Sequence, residues 1–590
     1  MFLLLTALFT FSIFAFGCSG RSGEDSQNPP TLSKSDCIDV NYDTNISYHF
    51  PQDIYERSSH WVDSVYNNLT PKERISQLFW LAVDYPLSGS LKEEVEEFQP
   101  GGILLFRMNA AQTLEAVNDL QQLSSLPLLI SIDGEWGGAM RIEDLTRFPY
   151  AMTLGAIQDS NLIFEMGKEI ARQLKLFGIH VNMAPVADVN SNPDNPVIGF
   201  RSFGEDPLNV AEKSIAYTLG MQQGGVMAVG KHFPGHGDTE TDSHYTLPRV
   251  DHTIDYMHSY ELLPFKMIID EGVWGIMTAH IDVPELTFEP GTPSSFSSIL
   301  IKDLLKEELG FEGLVITDAM NMEGARVMGS PGYVDALALA AGNDIIEFTE
   351  DLGKAINEVK RAIEKGLLTW EDIEIKCKKS LAFKHHLVDF ENVSQNSLCS
   401  DSILVKAERE STHDLIQKLY NSSVTLMHDK SQLFPLSTNS DTTYGIGVIG
   451  SAPLIESKIT QYNNITFYQL PGSGYGFIEN LGKMDRYDHQ IFIIANSRWT
   501  GLTDSSNSLN ELVSFINRNR SGVVFMGNAY HLRRWQGIEK ADAFSIIYEN
   551  NSYAQKSVYN SVISGSSSFS GKLPVSVDGM FNLNTGVFPN

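Results

Sequence analysis

The chain has 590 residues, with 73 acidic against 43 basic side chains and a formal charge of −30. A content of 42% hydrophobic and 20% charged residues excludes a disordered chain. The acidic balance excludes nucleic acid as a partner and disfavours docking on anionic lipid, because both need a basic surface. Four cysteines exclude a disulfide-built scaffold and offer no zinc-ribbon spacing.

Residues 1–17, MFLLLTALFTFSIFAFG, form an apolar run too short to span a membrane comfortably and predict a signal segment. Ala15-Phe16-Gly17-Cys18 resembles a bacterial lipobox, in which the cysteine is lipidated and becomes the mature N-terminus. Residues 18–50 then act as a polar tether. The expectation is a bacterial protein exported and lipid-anchored in the periplasm or at the outer membrane, touching the membrane only through that anchor. An ordinary secretory signal with an incidental cysteine is the alternative.

Residues 51–390 alternate helical patterns with short apolar runs: Gly102–Phe106, Leu128–Asp133, His180–Asp188, Val226–His232, Gly275–His280, Gly313–Asp318 and Asn343–Glu347. Continuous apolar strands between helices predict a parallel sheet covered on both faces. Seven runs, eight with Ile75–Trp80, predict a (β/α)₈ barrel. Asp133, Asp188, Lys231-His232, His280 and Asp318 each stand where a run stops. In barrels those C-terminal strand ends build the active site. One such residue is readily a helix cap or a satisfied core histidine; several converging strand ends are hard to explain as caps.

After the fourth of these runs, Gly230–Tyr245 reads GKHFPGHGDTETDSHY. Pro234, Gly235 and Gly237 make it a shaped loop, so His232 and His236 do not share a helical face. No second, regularly spaced ligand pair accompanies them, so neither a metal nor another cofactor is expected. In Asp242-Ser243-His244 the carboxylate orients an imidazole and favours its protonated form, which suits proton transfer. A plain surface Asp–His pair is the alternative for that tripeptide alone.

Lys231-His-Phe-Pro-Gly-His-Gly-Asp238 followed by Asp242-Ser-His244 resembles the signature loop of glycoside hydrolase family 3, in its β-N-acetylglucosaminidase branch. Asp133-Gly-Glu-Trp-Gly-Gly138, Asn182–Asp188, Arg201-Ser-Phe-Gly204, Met277-Thr-Ala-His280 and Val315–Met320 resemble further family segments, in the family's order. The resemblance implies a TIM barrel followed by a smaller α/β sandwich. It implies Asp318 as nucleophile, His244 as general acid/base and Asp242 as its orienting partner. Asp133, Arg201, Lys231, His232 and Arg141 match positions that hold the sugar. Trp136 and Met320 depart from the family pattern without removing a catalytic group, and are expected to alter the pocket beyond the cleaved sugar. A histidine acid is neutral after donation, so phosphate could compete with water as acceptor.

The Ser/Asn-rich stretch 391–401 is the expected linker, and 402–590 resembles the family's C-terminal sandwich. Ser423–Leu436 looks like its opening strand and turn, Ile491–Ala495 and Gly522–Met526 like parallel strands, and Ser568–Ser576 like its closing segment. No separate chemistry is visible there, and the domain is expected to support the barrel. Cys377 and Cys399 lie 22 positions apart; they could pair in an oxidising periplasm or be free or buried.

Taken together, these features predict a retaining β-N-acetylhexosaminidase acting on N-acetylglucosamine-containing oligosaccharides or muropeptides. A β-glucosidase or mixed-specificity glycosidase of the family is one alternative. A non-catalytic glycan-binding surface lipoprotein is another.

Overall fold

The computed structural model describes residues 50–390, 400–472, 475–495 and 507–588. Residues 1–49, with Cys18, and 391–399, with Cys399 and most of the expected linker, lie outside them. Among the described residues no helix is long and apolar enough to cross a membrane.

Eight strands form one parallel sheet: β1 (Phe79–Val83), β2 (Gly102–Leu105), β3 (Leu129–Ile132), β4 (Val181–Asn182), β5 (Met227–Phe233), β6 (Gly275–Thr278), β7 (Leu314–Thr317) and β8 (Ile346–Glu347). Neighbours follow chain order from β1 to β7, and β8 pairs with β1 through Phe79–Ile346 and Trp80–Glu347. A parallel bridge between Ile316 and Ile345 brings β7 to β8, so the sheet closes as a barrel. Nearly every strand residue is buried, which explains the apolar runs without alternation. The surrounding helices keep one apolar stripe inward; Leu352–Glu364 buries Leu352, Ala355, Ile356, Val359 and Ala362 at helical spacing.

Two expectations are corrected. The eighth run is not Ile75–Trp80: Pro71–Ser76 is a helix and the strand begins at Phe79. Thr70 caps that helix, its hydroxyl accepting the Glu73 amide while the Glu73 carboxylate accepts the Thr70 amide, with Pro71 at the first position. The run His180–Asp188 keeps only Val181 and Asn182 as regular strand, because Pro185 has no N–H to give the ladder. The chain rejoins β5 at a single bridge, Val186–Lys231.

A second sheet has the order β11 (Ile465–Leu470), β10 (Tyr444–Gly450), β12 (His489–Ala495), β13 (Ser521–Met526), β14 (Ala543–Ile547) and β9 (Thr425–Asp429). All pairs are parallel except β14 with β9. It is fastened to the barrel by polar contacts. Glu549 accepts the Tyr150 amide at 2.8 Å and the Thr153 hydroxyl at 2.7 Å, and pairs with Arg147 at 2.6 Å. The Tyr530 hydroxyl accepts Asn190 Nδ2 at 2.7 Å, and Arg533 pairs with Asp194 at 2.6 Å. Cys377 is a buried free thiol, its pKa pushed up to about 12 by burial.

Gly204 sits on this seam at φ +146°, and a Cβ there would lie 2.2 Å from the Pro574 carbonyl oxygen. Gly204→Ala is therefore expected to cost about 1–3 kcal/mol, by overpacking and an unsuitable φ. Denaturant unfolding would measure it; an unchanged midpoint would show that the seam yields freely.

Candidate active site

The C-terminal ends of the barrel strands surround a cavity of about 310 Å³, lined by Asp133, Glu135, Trp136, Arg141, Arg201, Lys231, His232, His236, His244, Asp318 and Glu347 among others. The expected site residues are thus brought together, with Asp242 standing behind His244 and Cys18 outside the described residues. No described residue of the second sheet lines the cavity. Met320 does not line it either: its side chain is buried, and Met322 faces the cavity instead.

One floor of the cavity is an ion network. Lys231 Nζ, only 3% exposed, lies 2.8 Å from Asp133 Oδ1 and 2.9 Å from Glu135 Oε1. Arg141 Nη2 donates to Asp133 Oδ2 at 2.6 Å. Arg201 clasps Glu135 through Nε at 2.9 Å and Nη2 at 2.7 Å. Burial alone would raise both carboxyls, but the cations outweigh it. Lys231 and Arg141 hold Asp133 well below the usual range, and Arg201 and Lys231 bring Glu135 down to about 2. Lys231 and Arg201 are in turn held charged by these carboxylates, against their own burial.

Asp188 is the anchor of the loop. Its carboxylate accepts the His232 amide at 3.1 Å, His232 Nδ1 at 2.7 Å and the His236 amide at 2.8 Å. These bonds fix the His232 ring with Nδ1–H toward Asp188 and leave Nε2 without a hydrogen-bond partner among the described residues. The glycines of the loop have steric reasons. A Cβ at Gly237 would lie 1.7 Å from the Val189 carbonyl oxygen, and one at Gly235, at φ +132°, 2.7 Å from Glu261 Oε2. Asn195 Nδ2 donates to the His236 and Gly237 carbonyls, both at 2.9 Å. His236 Nε2 then meets Ser243 Oγ at 3.1 Å, tying the buried root to the tip.

At the tip, Asp242 Oδ1 accepts His244 Nδ1 at 2.7 Å and the His244 amide at 2.9 Å. The His244 side chain is 60% exposed. Burial would raise the Asp242 carboxyl, but the bonds from His244 hold it below its ordinary value. Asp318 follows β7 directly; its amide donates to the Thr278 carbonyl at 2.9 Å and its Oδ1 accepts the Ala319 amide at 2.7 Å. Burial would raise this carboxyl too, yet His232, His280, the Ala319 amide and Lys231 keep it low and therefore ionised at neutral pH. Beside the ion network Trp136 meets Tyr150 edge-on at 4.9 Å, and Tyr150 meets Phe200 at 4.6 Å. Among the described residues no three His, Cys, Asp or Glu side chains gather as metal ligands.

Sequence reasoning missed the roles of Glu135, Asp188, His236 and Glu347. Asp188 ended a predicted strand and Glu135 stood two positions after Asp133, so a signal existed for both. Glu347 ended a predicted run but was read only as a strand terminus.

Removing the shared cation should expose the cost of burying two carboxylates. Lys231→Met is expected to lose about 3–5 kcal/mol at pH 7, read by urea unfolding. A loss below about 1 kcal/mol would mean that the arginines alone suffice. Because Glu135 is depressed, its contribution is present above its ordinary pKa of 4.5 and disappears as pH falls through about 2. The difference between wild type and variant should shrink across that window.

Residues 70–382 match the model of the glycosyl hydrolase family 3 N-terminal domain. Beta-hexosaminidase A of Pseudoalteromonas piscicida is 39% identical over 282 residues, 44% of this chain and 47% of that protein, so the match spans about half of that relative. A beta-hexosaminidase of Nitrosospira multiformis is 35% identical over 270 residues, 44% of this chain and 76% of that protein. The solved family 3 beta-N-acetylglucosaminidase of Paenibacillus sp. superposes with a TM-score of 0.70 at 28% identity, covering 86% of this chain and 99% of that one. The family match takes in more than half of the chain, all eight barrel strands and every residue that lines the cavity; the protein belongs to glycosyl hydrolase family 3.

Proposed function

We propose that the protein is a retaining β-N-acetylhexosaminidase that removes terminal β-linked N-acetylglucosamine, with peptidoglycan fragments as the natural substrate class. The observation that carries this reading is the shared cavity of Asp318 and His244, the latter oriented by Asp242. The Asp318 carboxylate attacks the anomeric carbon while the glycosidic C–O bond breaks, and His244 Nε2 gives its proton to the leaving oxygen. Nδ1 is already committed to Asp242, so Nε2 is the nitrogen that exchanges the proton. In the second half His244 takes a proton from water, the water oxygen bonds to the anomeric carbon, and Asp318 is released. Asp133, Arg141, Arg201, Lys231 and His232 hold the sugar from the cavity floor. The relatives named for hexosaminidase activity support the choice of sugar.

An aryl β-N-acetylglucosaminide assayed beside the aryl β-glucoside tests the reading; preference for the glucoside would overturn it. Asp318→Ala should lose about a thousandfold or more in turnover while melting like wild type. His244→Ala should lose about a hundredfold or more, with the deficit growing as the leaving group becomes poorer. Because His244 is neutral after donation, an anionic acceptor is not repelled. The same assay run with phosphate decides between water and phosphate by the presence or absence of a sugar phosphate.

We also propose that the protein is exported and anchored through a lipid on Cys18. The apolar leader ending at that cysteine supports this. Cys18→Ser should move the protein from the membrane fraction to the soluble one; unchanged fractionation would leave only a secretory signal.

A further inference from the structure

Glu347 closes β8 at the same rim as Asp133, Lys231 and Asp318, and it lines the cavity. It is 2% exposed, and its Oε1 is buried without a hydrogen-bond partner among the described residues. Its backbone is firmly placed: the amide donates to Thr317 Oγ1 at 3.0 Å, and the carbonyl accepts the Met320 amide at 3.0 Å. The side chain is thus delivered rigidly to the cavity wall with an unused polar atom, a costly arrangement unless a ligand completes it.

We propose that Glu347 is a substrate-binding, specificity-determining residue whose carboxyl group hydrogen-bonds an oxygen of the sugar seated between Asp133 and Asp318. The charge pattern decides which way the bond runs. Arg141, Arg201 and Lys231 bring three positive charges to the cavity, and Asp133, Glu135 and Asp318 already balance them. An ionised Glu347 would add an uncompensated buried anion. Burial first, and then Asp133 and Asp318, push its carboxyl well above the usual range, against Lys231 and Arg141. His232 from β5 faces the same space. Glu347 therefore carries its proton and donates it to a hydroxyl or carbonyl oxygen of a neutral sugar. Lys231, Arg141 and Arg201 each give part of their donor set to carboxylates, and the Glu347 O–H adds a further donor from the β8 side of the cavity.

This inference rests on the glycosidase reading, and the two fail differently. No cleavage of an aryl β-N-acetylglucosaminide by wild type would sink the reading, whereas Glu347 is judged by calorimetric titration with N-acetylglucosamine as well as by kinetics. Glu347→Gln keeps a neutral donor and should hold KM and the sugar's Kd within about threefold of wild type. Glu347→Leu should weaken both by about tenfold or more. Raising the pH should weaken wild-type binding more than that of the Gln variant, because only wild type loses the donated proton. A Leu variant that binds like wild type, or a Gln variant as impaired as Leu, would overturn the proposal. Should the Leu variant fail to fold, coincident pH profiles for wild type and Gln would overturn it equally.

Discussion

Two carboxylates, Asp133 and Glu135, lie at the mouth of the barrel where water is scarce, and they stay ionised because Lys231 Nζ sits between them. Arg141 and Arg201 close the set from either side. Buried charges of this kind are tolerated only when each has a partner with good geometry. Here the partners come from the end of β3, the segment after it, the 3₁₀ turn Gly199–Arg201 and β5. Sequence segments far apart are thus tied to one another at the floor of the cavity.

The loop after β5 is built on that floor as a buried root with an exposed tip. Asp188 holds the root through three hydrogen bonds, and close packing at Gly237 and Gly235 leaves no space for side chains. Asp242 and His244 stand at the tip, open to solvent, where a proton can be exchanged with a leaving group and later with water. The nucleophile has the opposite setting: Asp318 is placed by the strand end itself, deep in the cavity. The different environments of the two groups match the different tasks assigned to them.

The second sheet acts at a distance. Tyr530 bonds Asn190, whose Oδ1 in turn accepts the Gly199 amide at 2.9 Å, at the start of the turn that carries Arg201. Glu549 similarly secures Tyr150, one of the aromatic rings beside Trp136. The domain thus braces the wall of the cavity and supplies none of its described lining. At the N-terminal ends of β7 and β8, buried Asp344 gathers Lys306, Lys376 and Lys379, away from the residues that line the cavity.

Much of this was legible in the chain. Unalternating apolar runs between helical stretches specified a covered parallel sheet, because both faces of each strand are buried. Residues at the ends of those runs marked the rim, and the loop from Lys231 to His244 carried its chemistry in its residue types. Where the reading slipped, local chemistry had the last word: the Thr70–Glu73 cap made a helix of part of the expected first strand, and Pro185 cut the fourth short. What the chain could not disclose alone was partnership across space. That Glu135 shares an ammonium with Asp133, that Asp188 grips two backbone amides, and that Glu347 is left with an unpaired oxygen all depend on closure of the barrel. Periodicity and spacing determine which residues face a rim; distances between strands brought together from far apart determine which of them neutralise one another and which remain free for a ligand.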